Sequence, residues 1–212
     1  MNTIAIFLKH PTPGKVKTRI AKDIGNERAA QVYSAMAETV LEAVGTKNHR
    51  RVFYDPPDKK DEIANWLGAD IARNFLPQRG NSLGEKISNA ISDCLSDGSK
   101  KVSVIGTDCP DVTGEVIEES FARLDSADAV IGPCEDGGYY LIGLKHSRPE
   151  LFTGIDWSTS KVTAQTLEKI QNLNLKAELL KTLRDIDSAD ALTPRLMNKL
   201  SSRGGVAAVE KE

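Results

Sequence analysis

Three short stretches of this 212-residue chain combine residue types that chemistry uses. The first is Lys9-His10-Pro11-Thr12-Pro13-Gly14-Lys15-Val16-Lys17-Thr18-Arg19, in which four cations fall within eleven residues around a Pro/Gly turn. It follows an apolar run at 4–8, and helical spacing resumes behind it from about Val16. Free backbone N–H groups and the positive end of a helix would therefore add to the attraction for an anion such as phosphate. Lys9, Lys15, Lys17 and Arg19 are the candidate phosphate ligands. The spacing is not the GxxxxGK[ST] of a P-loop, and a solvated basic turn is the simpler alternative.

The second stretch, Thr107-Asp108-Cys109-Pro110-Asp111, follows the apolar run at 102–106. A carboxylate at the end of a buried strand sits on a rigid support, and a hard oxygen donor is what Mg²⁺ or Mn²⁺ needs when it also grips a diphosphate. Asp108, nearer the strand, is the expected ligand; Asp111 would equally serve as a helix cap. The third, Gly132-Pro133-Cys134-Glu135-Asp136-Gly137-Gly138-Tyr139-Tyr140, reads alone as a hairpin turn. It also follows an apolar run, so Asp136 is expected to converge with Asp108. Two carboxylates about 4 Å apart repel by roughly 4 kcal/mol at an effective dielectric of 20. A divalent cation would remove that repulsion.

Two further segments carry weaker signals. Gln78-Arg79-Gly80-Asn81-Ser82 would offer Arg79 and backbone groups to a nucleotide, which makes Arg79, Asn81 and Ser82 candidate nucleotide ligands, though a capped helix entry accounts for the segment as well. Trp157-Ser158-Thr159-Ser160 brings an indole that serves either as a platform for a sugar or base or as a half-buried core residue. The three histidines do not cluster, no GxSxG elbow is present, and the first turn lacks the GxGxxG of a dinucleotide site.

These stretches need a scaffold that gathers strand ends. Strand-length apolar runs occur at 4–8, 50–54, 102–106, 129–132, 139–144 and 176–180, with helical periodicity between most of them. Ser82 and Glu85 have capping-box spacing at one helix start, and Thr113 precedes another. Alternation of this kind predicts a three-layer α/β/α sandwich with a mostly parallel sheet, in which ligands bind beyond the carboxyl ends of the strands. The short link before 139–144 predicts one antiparallel pairing. One domain over 1–200 is expected, closed by a helix at 187–200, with a flexible tail at 201–212.

With 28 Lys and Arg against 30 Asp and Glu, nothing favours nucleic acid or an anionic membrane as partner. Three scattered cysteines without zinc-type spacing, and an N-terminus unlike a signal peptide, lead to the expectation of a cytoplasmic protein.

Together the segments resemble a family of small bacterial candidate glycosyltransferases with a glycosyltransferase-A-like, nucleotide-diphospho-sugar transferase fold, some of whose members are linked to arsenosugar biosynthesis. The matching residues are Lys9 with 13–19, Gln78, Gly80 and Leu83-Gly84-Glu85, 105–111, 132–143, Trp157-Ser158-Thr159 and Asp185-Ile186-Asp187. The resemblance spans 4–192. It implies a metal-dependent transferase that takes a nucleotide sugar, with Asp108 and Asp136 as catalytic and metal-binding residues for Mg²⁺ or Mn²⁺. Gly137, Gly138, Tyr139 and Trp157 would face a small-molecule acceptor. The wider superfamily includes guanylyl- and cytidylyl-type nucleotidyltransferases, which consume a nucleoside triphosphate and release pyrophosphate. The first loop here departs from their glycine-rich form. A nucleotide-binding module without catalysis is the third alternative.

Overall fold

The computed structural model describes residues 1–45, 48–68, 71, 74–188 and 192–201. Its frame is a seven-stranded sheet in the order β3-β2-β1-β4-β6-β5-β7. The strands are β1 (Asn2–Lys9), β2 (His49–Asp55), β3 (Phe75–Pro77), β4 (Lys101–Ile105), β5 (Ala129–Pro133), β6 (Tyr139–Leu144) and β7 (Ala177–Leu179). All pairings are parallel except those of β6, which runs against both β4 and β5. The short 134–138 link leaves no room for a crossover, so the chain must turn straight back. β3, three residues long and ending on Pro77, is the strand that periodicity did not reveal.

The helices are α1 (Ala21–Ile24), α2 (Asn26–Val44), α3 (Lys60–Leu67), α4 (Leu83–Ser96), α5 (Gly114–Arg123), α6 (Val162–Asn172) and α7 (Pro194–Ser201). Alternate residues of each strand feed opposite faces of the sheet. Ile4, Ile6 and Leu8 of β1 pack with Val40 and Leu41 of α2, Ile63 of α3 and Ile117 of α5. Ala5 of β1 and Val102 and Val104 of β4 pack on the other face with Ile87 and Ile91 of α4, Leu151 and Phe152, and Ile170 of α6. Both faces are thus covered, which is the three-layer α/β/α sandwich expected from the alternation. Among the described residues no helix is long and apolar enough to cross a membrane.

Both caps form as the sequence indicates. Ser82 Oγ accepts from Glu85 N at 3.2 Å, and Thr113 Oγ1 accepts from Val116 N. The helix expected from about Val16, by contrast, starts late. Lys17 has φ of 45°, a left-handed conformation that a helix does not tolerate, and the first helical residue is Ala21. The basic stretch is therefore a loop and not a helix entry. The closing helix expected at 187–200 is shorter: Asp187, Ser188, Leu192 and Thr193 are not helical, and α7 starts at Pro194, whose missing N–H and fixed φ suit a first helical position, and runs on to Ser201; residues 189–191 and 202–212 lie outside the described residues.

Candidate functional site

The chain leaves β1, builds outward through β2 and β3, and returns on the far side of β1 as β4. This reversal of direction opens a crevice at the carboxyl ends of β1 and β4. A cleft of about 600 Å³ occupies that position. One side is charged, with Lys9, Lys15, Lys17 and Arg19 from the first loop facing Asp108, Asp136, Asp185 and Asp187. The other side is apolar and includes Phe7, Leu83, Ile87, Tyr139, Ile142 and Trp157.

Asp108 stands three residues past β4. Asp136 reaches the same cleft because β6 runs backwards: Leu141 pairs with Ile105, so the 134–138 link sits over the carboxyl end of β4. Its Oδ1 accepts from Gly138 N at 2.8 Å, which shapes the turn, while Oδ2 has no hydrogen bond among the described residues. Asp185 and Asp187 come from a segment that periodicity did not flag. After β7 the chain continues along β5, with Leu183 N donating to Pro133 O at 3.0 Å and Ile186 N to Asp108 O at 3.1 Å. This path lays the Asp185-Ile186-Asp187 segment across the cleft. Burial raises the Asp185 carboxyl above its usual range, and the charges of Asp136 and Asp187 push it further the same way. Negative charge is thus concentrated here.

Lys17 is the counter-charge. Its ammonium lies 2.6 Å from Asp108 Oδ1, donates to Ile186 O at 2.7 Å and reaches Asp187 Oδ1 at 3.4 Å. Burial pulls its pKa down, but attraction and hydrogen bonding to Asp108, then to Asp187, outweigh that, and the net shift is upward. Lys17 is therefore engaged with protein partners. Arg19 Nη1 pairs with Asp187 Oδ2 at 2.7 Å while remaining largely exposed. Lys9 and Lys15 are exposed on the cleft and have no ion pair among the described residues.

Two positioning residues were not legible from spacing. Tyr33 of α2 accepts from Lys9 N at 2.7 Å and shares a hydrogen bond with Thr107 Oγ1 at 3.0 Å, tying the ends of β1 and β4 together. Burial, then the charge of Asp108, keeps its phenol un-ionised. Gln78 sends Nε2 to Phe53 O at 2.9 Å and lines the cleft between β1 and β3.

Not every expected contact residue reaches the cleft. Arg79 turns outward to Asp93 at 2.5 Å; Asn81 N donates to Glu85, and Ser82 caps α4, so none of the three lines the cavity. Their neighbours Gln78 and Leu83 do. Gly138 and Tyr139 line it, but Gly137 does not. A Cβ on Gly137 would lie 2.2 Å from Ser160 O, and its φ is 88°, so glycine there admits a neighbouring strand of backbone, not a ligand. Trp157 meets Tyr139 edge-on at 6.2 Å. The Tyr139 hydroxyl is buried beside Thr166 and makes no well-formed hydrogen bond among the described residues, because the Thr166 hydroxyl donates to Val162 O at 2.9 Å.

The family model described as "Uncharacterized protein conserved in bacteria (DUF2064)" matches residues 39–159, more than half of the chain. The chain belongs to this family. Within DUF2064 the matched span holds Asp108, Asp136 and Trp157 but ends before Asp185 and begins after the basic loop. No curated protein matches the sequence significantly. Among solved structures, a candidate nucleotide-diphospho-sugar transferase from Desulfovibrio desulfuricans G20 is 29% identical, with 97% of this chain and 99% of that one covered and a TM-score of 0.86. CMP:2-keto-3-deoxy-manno-octonic acid synthetase, solved with CTP, is 10% identical over 95% of this chain and 99% of its own, with a TM-score of 0.57. Rv0371c from Mycobacterium tuberculosis H37Rv, solved with manganese, is 10% identical over 95% and 100% of the two chains, with a TM-score of 0.54. This DUF2064 chain therefore has the nucleotide-diphospho-sugar transferase fold.

Proposed function

We propose that the chain is a metal-dependent transferase acting on a nucleoside-diphosphate-activated donor, and specifically a glycosyltransferase that moves a sugar to a small acceptor. The observation that carries this reading is the sharing of one cleft by Lys9 and Lys15, which have no ion pair among the described residues, and the carboxylates of Asp108, Asp136 and Asp185. A diphosphate needs cations, and crowded carboxylates need one too; a divalent ion between them satisfies both.

The donor set fits Mg²⁺ or Mn²⁺ in chemistry, since it offers only hard oxygens. Among the described residues no three His, Cys, Asp or Glu side chains form a ready-made metal cluster. That agrees with Mg²⁺ sites that use one or two carboxylates and complete their shell with phosphate oxygens and water. Asp108 and Asp136 would hold the ion, with Asp185 adding negative charge beside Asp136, and the ion would supply charge neutralisation on the diphosphate.

The remaining roles belong to the chain's own groups. Lys9, Lys15 and Arg19 stabilise negative charge that grows on the departing diphosphate. Lys17 acts through Asp108 and Asp187, holding both segments in place. Gln78, Leu83 and Ile87 border the nucleoside half, and Gly138, Tyr139 and Trp157 border the acceptor half.

The test is a thermal-shift screen of nucleoside mono-, di- and triphosphates and sugar nucleotides, with and without Mg²⁺ or Mn²⁺. A ligand at a hundredfold excess over its Kd adds about 2.7 kcal/mol, or roughly 5–10 °C for a chain of this size. Asp136→Asn, which retains the oxygen that accepts from Gly138 N, is expected to lose the metal-dependent part of the shift while still folding. An unchanged metal-dependent shift in that variant would overturn the reading. Turnover then identifies the bond broken: nucleoside diphosphate released from a sugar nucleotide assigns glycosyl transfer, and pyrophosphate released from a triphosphate assigns nucleotidyl transfer instead.

A further inference from the structure

Two thiols that the proposed reaction does not use lie under the carboxylate loops. Cys109 immediately follows Asp108, and Cys134 opens the 134–138 link that carries Asp136. Although 25 residues separate them in sequence, their sulfurs are 3.5 Å apart. Both are free thiols, as is Cys94, which belongs to the core on the opposite face of the sheet and so lies out of reach. Cys109 is 2% exposed, whereas Cys134 is only partly buried and gives access to solvent reagents.

The backbone holds the two thiols in this position. Cys134 N donates to Gly138 O at 2.9 Å, and Cys134 bridges to Leu183 of the segment that leads to Asp185. Val112 N donates to Cys109 O at 3.2 Å. A thiol pair presented in this way, one buried and one accessible, has the layout of a dithiol that closes under an oxidant.

We propose that Cys109 and Cys134 form a reversible disulfide, an oxidative modification site whose closure displaces the loops bearing Asp108 and Asp136. With hydrogen peroxide as oxidant the chemistry balances. The Cys134 thiol gains one oxygen to become a sulfenic acid as peroxide is reduced to water. The Cys109 sulfur then attacks the Cys134 sulfur, the S–S bond forms as the S–O bond breaks, and the sulfenic hydroxyl leaves as a second water with the Cys109 thiol hydrogen. A thiol reductant returns two hydrogens and restores both cysteines.

The consequence follows from distance. An S–S bond is about 2.05 Å long, so the sulfurs must approach by roughly 1.5 Å. Cys109 is the backbone neighbour of Asp108 and Cys134 lies two residues before Asp136, and Asp108 is already held at 2.6 Å by Lys17. A misplacement of about 1 Å in a catalytic constellation costs on the order of a hundredfold in rate. Oxidised protein, with a carboxylate moved off its contact to the ion, is expected to bind a metal-bridged nucleoside diphosphate about tenfold more weakly than reduced protein. This last expectation rests on the nucleotide reading above; the disulfide itself does not.

Three measurements on the full chain decide the proposal. Thiol titration of the denatured protein before and after peroxide, with non-reducing peptide mapping, is expected to find two of the three thiols lost and one intramolecular Cys109–Cys134 link that dithiothreitol reverses. Retention of all thiols, or their loss without that link, overturns the modification site. Amide hydrogen exchange in 106–111 and 134–138 is expected to differ between the oxidised and reduced forms, and identical exchange overturns the coupling to the loops. Calorimetry with guanosine, uridine, cytidine and adenosine diphosphates in Mn²⁺ is expected to give weaker binding after oxidation in wild type and no change in Cys134→Ser. Equal binding in both redox states refutes the effect on affinity. Absence of binding in the reduced protein refutes the nucleotide reading, while the first two measurements still decide the disulfide.

Discussion

Replacing Lys17 by methionine tests whether this residue clasps the cleft together. The ammonium has three N–H donors and meets three acceptors, on Asp108, Ile186 and Asp187. Its side chain is 5% exposed, while those of Asp108 and Asp187 are 60% and 42% exposed. Cutting one partner from a fully buried pair costs about 3–5 kcal/mol. Here the two carboxylates regain water once the lysine is gone, so the loss is closer to that of charge-assisted hydrogen bonds, about 2 kcal/mol. For a chain of this length that lowers Tm by roughly 4–8 °C.

The pH dependence adds a second readout. The folded-state pKa of Lys17 lies above the ordinary lysine value of 10.5. The stabilisation is therefore complete below 10.5 and disappears as pH rises through the folded-state value. The melting-temperature difference between wild type and Lys17→Met, followed by circular dichroism, should stay constant through neutral pH and narrow only in strong alkali. A Met variant that melts with wild type, or a difference that persists when lysine is deprotonated, would refute the clasp.

Other perturbations separate binding from folding. Asp185→Asn should raise Tm at neutral pH, because the folded state disfavours the ionised carboxyl that Asn replaces. A raised carboxyl pKa means the penalty is absent below the ordinary value of 3.8, grows as pH rises above it and is complete above the folded value, so the gain should vanish in acid. The same variant should weaken metal-dependent nucleotide binding in calorimetry. Arg19→Ala removes an exposed pair worth at most about 1 kcal/mol and should leave Tm nearly unchanged while weakening diphosphate binding about tenfold, ~1.4 kcal/mol. Arg79→Ala, outside the cleft, should leave that affinity intact, and an equal loss in both variants would contradict the assignment of the phosphate side. Gly137→Ala combines a left-handed backbone with a clash against Ser160 O and should cost roughly 2–4 kcal/mol in a denaturant midpoint.

Much of this protein is written in neighbouring residues. Apolar runs such as Ile4-Ala5-Ile6 specify strands buried on both faces, Ser82 with Glu85 starts a helix, and five residues between two strands leave only a reversal of direction. Local sequence also marked Asp108, Asp136 and the basic loop, because residues that follow a central strand lie at the cleft by construction. Tertiary structure decided the rest. Lys17 pairs with Asp187 across 170 residues, and no periodicity encodes such a contact. Arg79 looks outward because Asp93, one face of α4 away, competes for it. Asp185 enters the site only because the chain after β7 follows β5 as far as Asp108, a path set by hydrogen bonds between distant backbones and not by side-chain pattern. The elements were legible because propensity and burial act over a few residues, whereas the balance of charge in the cleft depends on which distant segments the sheet brings together.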